Sequence, residues 1–538
     1  MNRLYLYIFA VTFLFLTSVP AATLTVSKDG TATYNTIQAA VSAASAGDNI
    51  EILDQSIYEE QVTFDSTKKN LTLQAKTGVK PVICYQDTIH IHPVNATEAT
   101  ALNIDFDRNG VIRIIKAANI TIANIIIRGK IATTFGDDAV WGTSPFQFGN
   151  TGISILSSSN IVIRNCDISN TFIGIYFKDY STTGLFTSEV PDKDEKKIFC
   201  GFGKTGNHLF ERNRIHNNSW GIFCESAYDL GSSIRYNLFY ENHHYSDAFA
   251  ETVNKLTSDG FEQTGGAICL KDNRLSPLAI YNNTFWHNFA LIGGHWQAGA
   301  QQLIFNNIYA EPNQYWVTSA NTGFTISTVE MSSRFKSRMF NCVYAAQEQA
   351  PQENEVKIMF GLSSFASSPV SPGQIINTPF TADENIRWLE TKFKSTDTAS
   401  PDFLVPDWND ANVQQYILDK GWSGAGILDA DGTIADLGAL PKGGLPTETI
   451  RIMPFAPVSV TSTSAKLGFS LSSDCTLDNP RIKYLKFVTA TPESSAVWNQ
   501  TVCTESASTA SLKTGCNILS CAISKTIAKE HYGFFEMV

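Results

Sequence analysis

The sequence predicts an all-β solenoid, a parallel β-helix, on three observations. First, one pattern recurs between residues 119 and 345: an apolar and polar alternation, one or two Asn (or Cys) residues, then a second apolar pair. It reads NITIANIIIRG from 119, NIVIRNCDISN from 160, HLFERNRIHNN from 208, SIRYNLFYEN from 233, LAIYNNTFWHN from 278, QLIFNNIYAEP from 302 and MFNCVYAAQ from 339. Alternation of period two marks strands, and Asn between them marks a tight turn that tolerates left-handed backbone. Second, a further short strand precedes the units: GISIL at 152, GIYFK at 174, GIFCE at 221, GAICLK at 266 and ALIGGH at 290. Third, these strands are 22, 47, 45 and 24 residues apart, a bare period of 22 to 24 lengthened by insertions near 181 to 206 and 243 to 264. Several short strands in so short a period, with no helix between them, make the coils of a parallel β-helix. A leucine-rich repeat would need its Leu-x-x-Leu-x-Leu frame, and a propeller blade needs about 40 residues.

Taken in chain order, residues 1–22 carry Arg3, an apolar run from Leu4 to Leu16, and the small-residue end Val19, Pro20, Ala21. This reads as a secretory signal peptide and places the mature chain outside the cell or on its surface. The run is shorter than the ~20 residues of a membrane span, and no later segment is a candidate. Residues 23 to 64, TLTVSKDGTATYNTIQAAVSAASAGDNIEILDQSIYEEQVTF, resemble the opening of right-handed β-helix proteins of the pectate lyase and pectin esterase type. That resemblance implies a right-handed coil and a TIQAA helix that covers the first turn, a cap for strand edges otherwise left open. DGTIADLGALPKGG at 431 to 444 resembles the exit from such domains, so the β-helix is expected at 23–444. Residues 445–538 turn to Thr, Ser and Val with strand-like alternation, and are read as a short linker and a small β-sandwich, a carbohydrate-binding or cell-surface module. The ending GFFEMV has no closing feature, which fits a domain cut short.

The chain of 538 residues is 43% apolar and carries 40 basic against 51 acidic side chains, a net charge of -11. A phosphate-neutralising surface is absent from that balance, so nucleic acid is not an expected partner. An anionic substrate needs a local group of cations or a bound metal. Of the ten cysteines, Cys475, Cys503, Cys516 and Cys521 gather in the last 64 residues, where a small exported domain gains from disulfides. Cys84, Cys166, Cys224, Cys269 and Cys342 suit small buried apolar positions. Asn-x-Ser/Thr occurs at Asn70, Asn95, Asn119, Asn217, Asn282 and Asn499, within an Asn-rich repeat that gives such triplets readily. The Asn residues at 165, 213, 237, 282, 283, 306 and 307 are expected to form a structural ladder.

Chemistry is expected where the second strand presents charge. Its inward residues register as Ile153 and Ile155, Ile175 and Phe177, Ile222 and Cys224, Ile268 and Leu270. The next residue of each coil then points outward: Leu156, Lys178, Glu225, Lys271 and, on a looser extension, His295. Coils stack about 4.8 Å apart, so Lys178, Glu225, Lys271 and His295 form one ionisable column. Such a column suits β-elimination on a uronic-acid polysaccharide, which needs a base for the C5 proton and a cation for the enolate-like charge beside the carboxylate. Lys271 is then the base, Glu225 holds calcium or orients a cation, and Lys178 and His295 neutralise the substrate. The same pattern also suits an ordinary solvated face of alternating charge. Inserted loops at 130 to 150, with Asp137, Asp138 and Trp141, and at 243 to 264, with His243, His244, Asp247, Glu251, Asp259 and Glu262, enter just before the column strand. Glu225, Asp259 and Glu262 are the candidate calcium ligands, although no spacing makes a defined calcium loop. Trp141, Trp220 and Trp296 are candidate sugar platforms, with Trp286 beside them, and core packing is the competing role of each.

GGAICLKDNRLSPLAIYNNTFWHNFALIGGHW, residues 265 to 296, resembles the active-site coils of the chondroitinase B and alginate lyase family. Lys271, the turn Asn283, Thr284, Phe285, and His295 follow that order, and the resemblance implies Lys271 as base. Gly294 stands where that family has an arginine, and Gly265 and Gly266 stand near its calcium-binding glutamates. The catalytic segments of pectin esterases and the assembled carboxylates of polygalacturonases are not found. Three functions follow: a monomeric secreted lyase on an acidic polysaccharide, a non-catalytic glycan-binding or adhesin-like surface protein, and a hydrolase using acids such as Asp179, Glu225 and Glu262.

Overall fold

The computed structural model describes residues 21–84, 110–129, 151–171, 173–178, 206–218, 220–225, 232–242, 266–271, 278–288, 292–295, 303–310, 338–340, 342–345, 375–377, 386–389, 392–421, 427–445 and short strands between 452 and 537. Three long sheets run through it: ten strands from Thr23–Val26 to Arg338–Phe340, seven from Val62–Phe64 to Ile292–His295, and eleven from Ile57–Glu59 to Ile375–Asn377. The described pairings within them are parallel, save the antiparallel pair Ile375–Asn377 and Ile386–Leu389. This is the parallel β-helix that the repeat predicts. Beyond residue 452 the described strands pair antiparallel in three small sheets, as a β-sandwich requires.

The register explains why the coils hold together. Ile112, Ile153, Ile175, Ile222, Ile268 and Ile292 align, one per coil, along the seven-stranded sheet. Of these, the five from Ile112 to Ile268 are fully buried, and each such side chain contributes about 1.5–3 kcal/mol relative to exposure. The glycine spacing needs one correction: Trp220, not Gly221, pairs with Gly266, so the coil is 46 residues long and Ala267 takes the glycine's place. Glycine is required at 174 and 221 by close approach. A Cβ on Gly174 would lie 2.5 Å from the Gly221 carbonyl oxygen, and one on Gly221 would lie 2.6 Å from that of Ala267.

Turn chemistry is more regular than the sequence suggests, because each Asn pair divides its work. The first residue of the pair takes left-handed backbone, at Asn165 (φ 53), Asn282 (φ 51) and Asn306 (φ 56), and Arg212 and Tyr236 occupy the same place. The second builds the ladder: Cys166, Asn213, Asn237 and Asn283 donate their backbone N–H to Oδ1 of Asn213, Asn237, Asn283 and Asn307, at 2.9–3.0 Å. Each ladder Asn also donates Nδ2 to a carbonyl of the preceding coil, as Asn237 does to Phe210 at 2.9 Å. A second ladder that the sequence reading missed runs through Thr171, Asn218, Asn242 and Asn288 at the far end of the eleven-stranded sheet. Its preceding residues, Asn170, Asn217, Glu241 and His287, are again left-handed. Buried backbone is thereby satisfied at two corners per coil, as a close-packed turn demands.

The first coil is capped by the helix Ile37–Ala43, which buries Ile37, Ala40 and Val41. Thr36 accepts from the Ala39 N–H, and the Glu60 carboxylate accepts from Ile37 and Gln38 N–H at 2.8 and 2.9 Å. Downstream, residues 392–421 pack Phe403, Leu404, Val413 and Ile417 over Leu238, Tyr240, Trp286 and Ile308 on the outer face of the eleven-stranded sheet. The exit segment 427–444 then docks on a coil turn. Asn282 Nδ2 donates to the Asp436 carbonyl at 2.7 Å, Gly438 N–H to that of Asn306 at 2.8 Å, and Ala439 N–H to Thr284 Oγ1 at 3.0 Å.

Candidate functional site

The seven-stranded sheet brings the expected column into line. Leu156 pairs with Lys178, Lys178 with Glu225, and Lys271 with His295, while Cys224 and Leu270, each one residue before its column member, are also partners. Residues separated by 22 to 47 positions therefore end five consecutive strands at one edge of the sheet, about 4.8 Å from strand to strand. Phe177 anchors its strand from inside, with its ring edge-on to His208 at 5.7 Å and to Phe210 at 5.5 Å. Lys178 therefore leaves the opposite face, half-buried.

That outer face is not an open, solvated one. The outward row one step inside the column is Arg113, Ser154, Tyr176, Phe223, Cys269 and Gly293. Ser154, Tyr176, Phe223 and Cys269 are fully buried and Arg113 is only 9% exposed, as on a sheet covered on both sides. The Tyr176 and Phe223 rings lie 6.0 Å apart. Leu156 and Ile115, which continue the column toward the N-terminus, are buried too. Arg113, absent from the sequence-based candidates, enters this layer with Nη1 donating to Gln61 Oε1 at 3.3 Å. The alternation in VIRII from residue 111 marks it as outward, but only the stacked register joins it to Ser154 and Tyr176.

Among the tryptophans, Trp220 corrects its expected role. It is fully buried with its ring edge-on to Phe223 at 6.2 Å, so it packs the sheet and offers no face to a sugar. Trp286 is 8% exposed, lying against Phe403. Trp141, Trp296, Asp137, Asp138, Asp179, Asp259, Glu262 and the other acids and histidines of the 243–264 loop lie outside the described residues, as does residue span 1–20. Among the described residues, no three His, Cys, Asp or Glu side chains are grouped to hold a metal ion. Nor is any described helix long and apolar enough to cross a membrane. Cys166, Cys224 and Cys269 are buried thiols, as expected, whereas Cys84 is half-buried. The triplet at Asn282 is closed to glycosylation, because that Asn is fully buried in its turn.

Two further ionisable groups flank the coils. On the ten-stranded sheet, Arg235 donates Nε and Nη2 to Glu211 Oε2 at 3.0 and 2.8 Å, Arg212 binds the other oxygen, and Tyr281 Oη accepts from Arg235 Nη1. Burial resists ionisation of Glu211, but the Arg235 and Arg212 charges outweigh it and hold the carboxyl below its ordinary value. On the eleven-stranded sheet, His216 stacks on Tyr240 at 4.4 Å and meets Asp167 at 3.0 Å. Arg214 lies over Tyr240 and Phe403 and donates to the Thr398 carbonyl at 2.8 Å. Both groups are tied into packing.

Residues 87–315 match the protein family described as "Right handed beta helix region", which sets the hand of the coil. Among solved structures the chain is similar to pectin methylesterase PemA from Erwinia chrysanthemi, at 13% identity over 54% of this chain and 79% of that one, with a TM-score of 0.31. It is similar also to a pectin methylesterase mutant in complex with a hexasaccharide, at 11% identity over 65% and 98%, TM-score 0.31. A PL6 family alginate lyase matches at 11% identity over 73% of this chain and 56% of that one, TM-score 0.24. No curated protein matches the sequence. Likeness at this level carries no argument about chemistry.

Proposed function

We propose, from the premise of a right-handed parallel β-helix, that the chain is a secreted, monomeric polysaccharide lyase that cleaves a uronic-acid polymer by β-elimination. One observation carries the proposal: the register that aligns Lys178, Glu225, Lys271 and His295 at the edge of a sheet whose outer face is otherwise covered. A covered face with one charged edge suits a walled groove better than a solvated surface.

In this proposal Lys271 removes the C5 proton of a bound uronate. The electron pair forms the C4–C5 double bond as the C4–O bond breaks, and the leaving oxygen takes a proton. Lys178 and His295 offset the carboxylate charge that grows during proton removal, and each neighbouring cation lowers the cost of a neutral Lys271. Glu225 between two lysines orients them, or takes calcium as its oxygen-donor partner. The test is ultraviolet absorbance of the conjugated uronide after incubation with pectate, alginate, and chondroitin or dermatan sulfate, each with calcium and with chelator. Absorbance that rises on one polymer and disappears with Lys271→Met supports the proposal. No rise, with reducing ends unchanged, overturns it in favour of a glycan-binding surface protein; new reducing ends without absorbance overturn it in favour of a hydrolase.

A further inference from the structure

The exit segment concentrates negative charge around a buried carboxylate oxygen. Asp429 and Asp436 are 4% and 1% exposed, and Asp431 and Asp419 lie beside them. Asp436 is fully engaged: Oδ1 accepts from the Asp419 N–H at 2.8 Å and Oδ2 from the Lys442 N–H at 2.7 Å. Asp429 uses Oδ2 to accept from the Asp436 N–H at 2.8 Å. Its other oxygen, Oδ1, is buried and has no hydrogen-bond partner among the described residues.

Asn49 Oδ1 is likewise buried without a partner, but among the described residues Asp429 Oδ1 is the one such atom that belongs to a carboxylate, and set among three further acids it calls for a positive partner. Burial first, and then the charges of Asp436, Asp431 and Asp419, push the Asp429 carboxyl up to about 7, against one backbone N–H bond that lowers it. Burial likewise raises Asp436. The Lys442 side chain acts on Asp431, which stays below its ordinary value chiefly through hydrogen bonds from Thr433. The backbone is turned tightly here: Gly432 N–H donates to the Asp429 carbonyl at 2.9 Å, Asp429 N–H to that of Thr433 at 2.9 Å, and Gly432 has φ 85. Asp431 is exposed at the tip, its carboxylate against Gly443.

We propose that the turn 429–436 binds a divalent cation of the calcium type, with Asp429 Oδ1 as its fixed ligand and Asp431 as a second carboxylate. The described residues do not already gather three such side chains around one point. The rest of the shell is therefore backbone carbonyl and water, which calcium accepts among its roughly six to eight oxygens. The ion acts as a clasp. It neutralises the acids of the segment that docks on Asn282, Thr284 and Asn306, and so fastens a part of the chain to coils about 150 residues earlier in sequence.

Calorimetric titration of calcium and of magnesium into the chelator-treated full chain near pH 8 tests this, on wild type, Asp429→Asn and Asp431→Asn. Thermal unfolding of the same proteins with calcium or with chelator accompanies it. The wild type is expected to bind one more equivalent of calcium than either variant, and to gain several degrees of midpoint that both variants lose. Equal stoichiometry and equal affinity in all three proteins, or no calcium bound by the wild type, overturns the site. Should Asp429→Asn fail to fold, Asp431→Asn, exposed and outside the core, carries the comparison. Calcium held at Glu225 would be common to all three and does not enter the difference, so this result and the lyase assay stand or fall separately.

Discussion

Truncating one rung of the inner ladder, Asn237→Ala, is expected to cost about 4 kcal/mol, and the geometry sets that figure. Asn237 is fully buried; its Oδ1 accepts from both the backbone N–H and Nδ2 of Asn213 at 3.0 Å, and its Nδ2 donates to the Phe210 carbonyl at 2.9 Å and to Asn283 Oδ1 at 3.0 Å. After truncation Asn213 Nδ2 keeps the Ile163 carbonyl and Asn283 Oδ1 keeps the residue 237 N–H. The Asn213 N–H and the Phe210 carbonyl lose their side-chain partner. Two such buried groups at about 1–3 kcal/mol each give about 2–6 kcal/mol, the low end applying where water fills the gap. In a solenoid the damage falls on neighbouring coils, so the assay is native-state hydrogen exchange of peptides spanning 206–218 and 232–242, with urea unfolding of the whole chain. About 4 kcal/mol is nearly a thousandfold in the local opening constant. The comparison is Asn119→Gly in an exposed row of Asn side chains, where Asn119 Nδ2 donates to Asn70 Oδ1 at 2.6 Å, Asn119 Oδ1 accepts from Asn160 Nδ2 at 2.9 Å, and φ is 57. Glycine keeps that backbone and water replaces the bond, so a change within about 0.5 kcal/mol is expected. Equal effects of the two substitutions would refute the claim that buried rungs hold the coils.

Gly174→Ala should destabilise by about 1–3 kcal/mol in thermal or urea unfolding, since the new methyl would lie 2.5 Å from a backbone oxygen of the next coil that cannot swing away. Arg235→Met should cost up to about 3 kcal/mol, below the roughly 3–5 kcal/mol of a wholly uncompensated buried charge because Arg212 still pairs with Glu211, and Glu211→Gln with Arg235→Met should recover part of it in a double-mutant cycle. Glu211 has its carboxyl held below the ordinary value, so its contribution is complete above that ordinary value and is lost as pH falls through the folded one; the wild type should lose more stability on acidification than Glu211→Gln does. Cys166, whose thiol burial pushes up to about 12, should stay unalkylated in the native chain near pH 8, by peptide mass spectrometry, while half-buried Cys84 reacts.

By itself the sequence determined whatever repeats locally. Period-two alternation with an isoleucine in each coil set the strands and the inward faces, and the alignment from Ile153 to Ile292 gave the column its register. Asn at fixed places announced the turns, and the TIQAA segment announced the cap. Tertiary structure decided the rest. Asn282 and Asn283 are adjacent and identical in type, yet one takes the left-handed corner and the other the ladder, a division that depends on where the next coil presents its N–H. Alternation says that Tyr176 and Phe223 face away from Ile175 and Ile222, but not that this second face is covered, and it says nothing of the docking of Asp436 on Asn282, 154 residues away. A periodic pattern encodes contacts between equivalent positions of neighbouring coils. Contacts between unlike segments leave no period, and they are what fixes the exit segment on its coil turn.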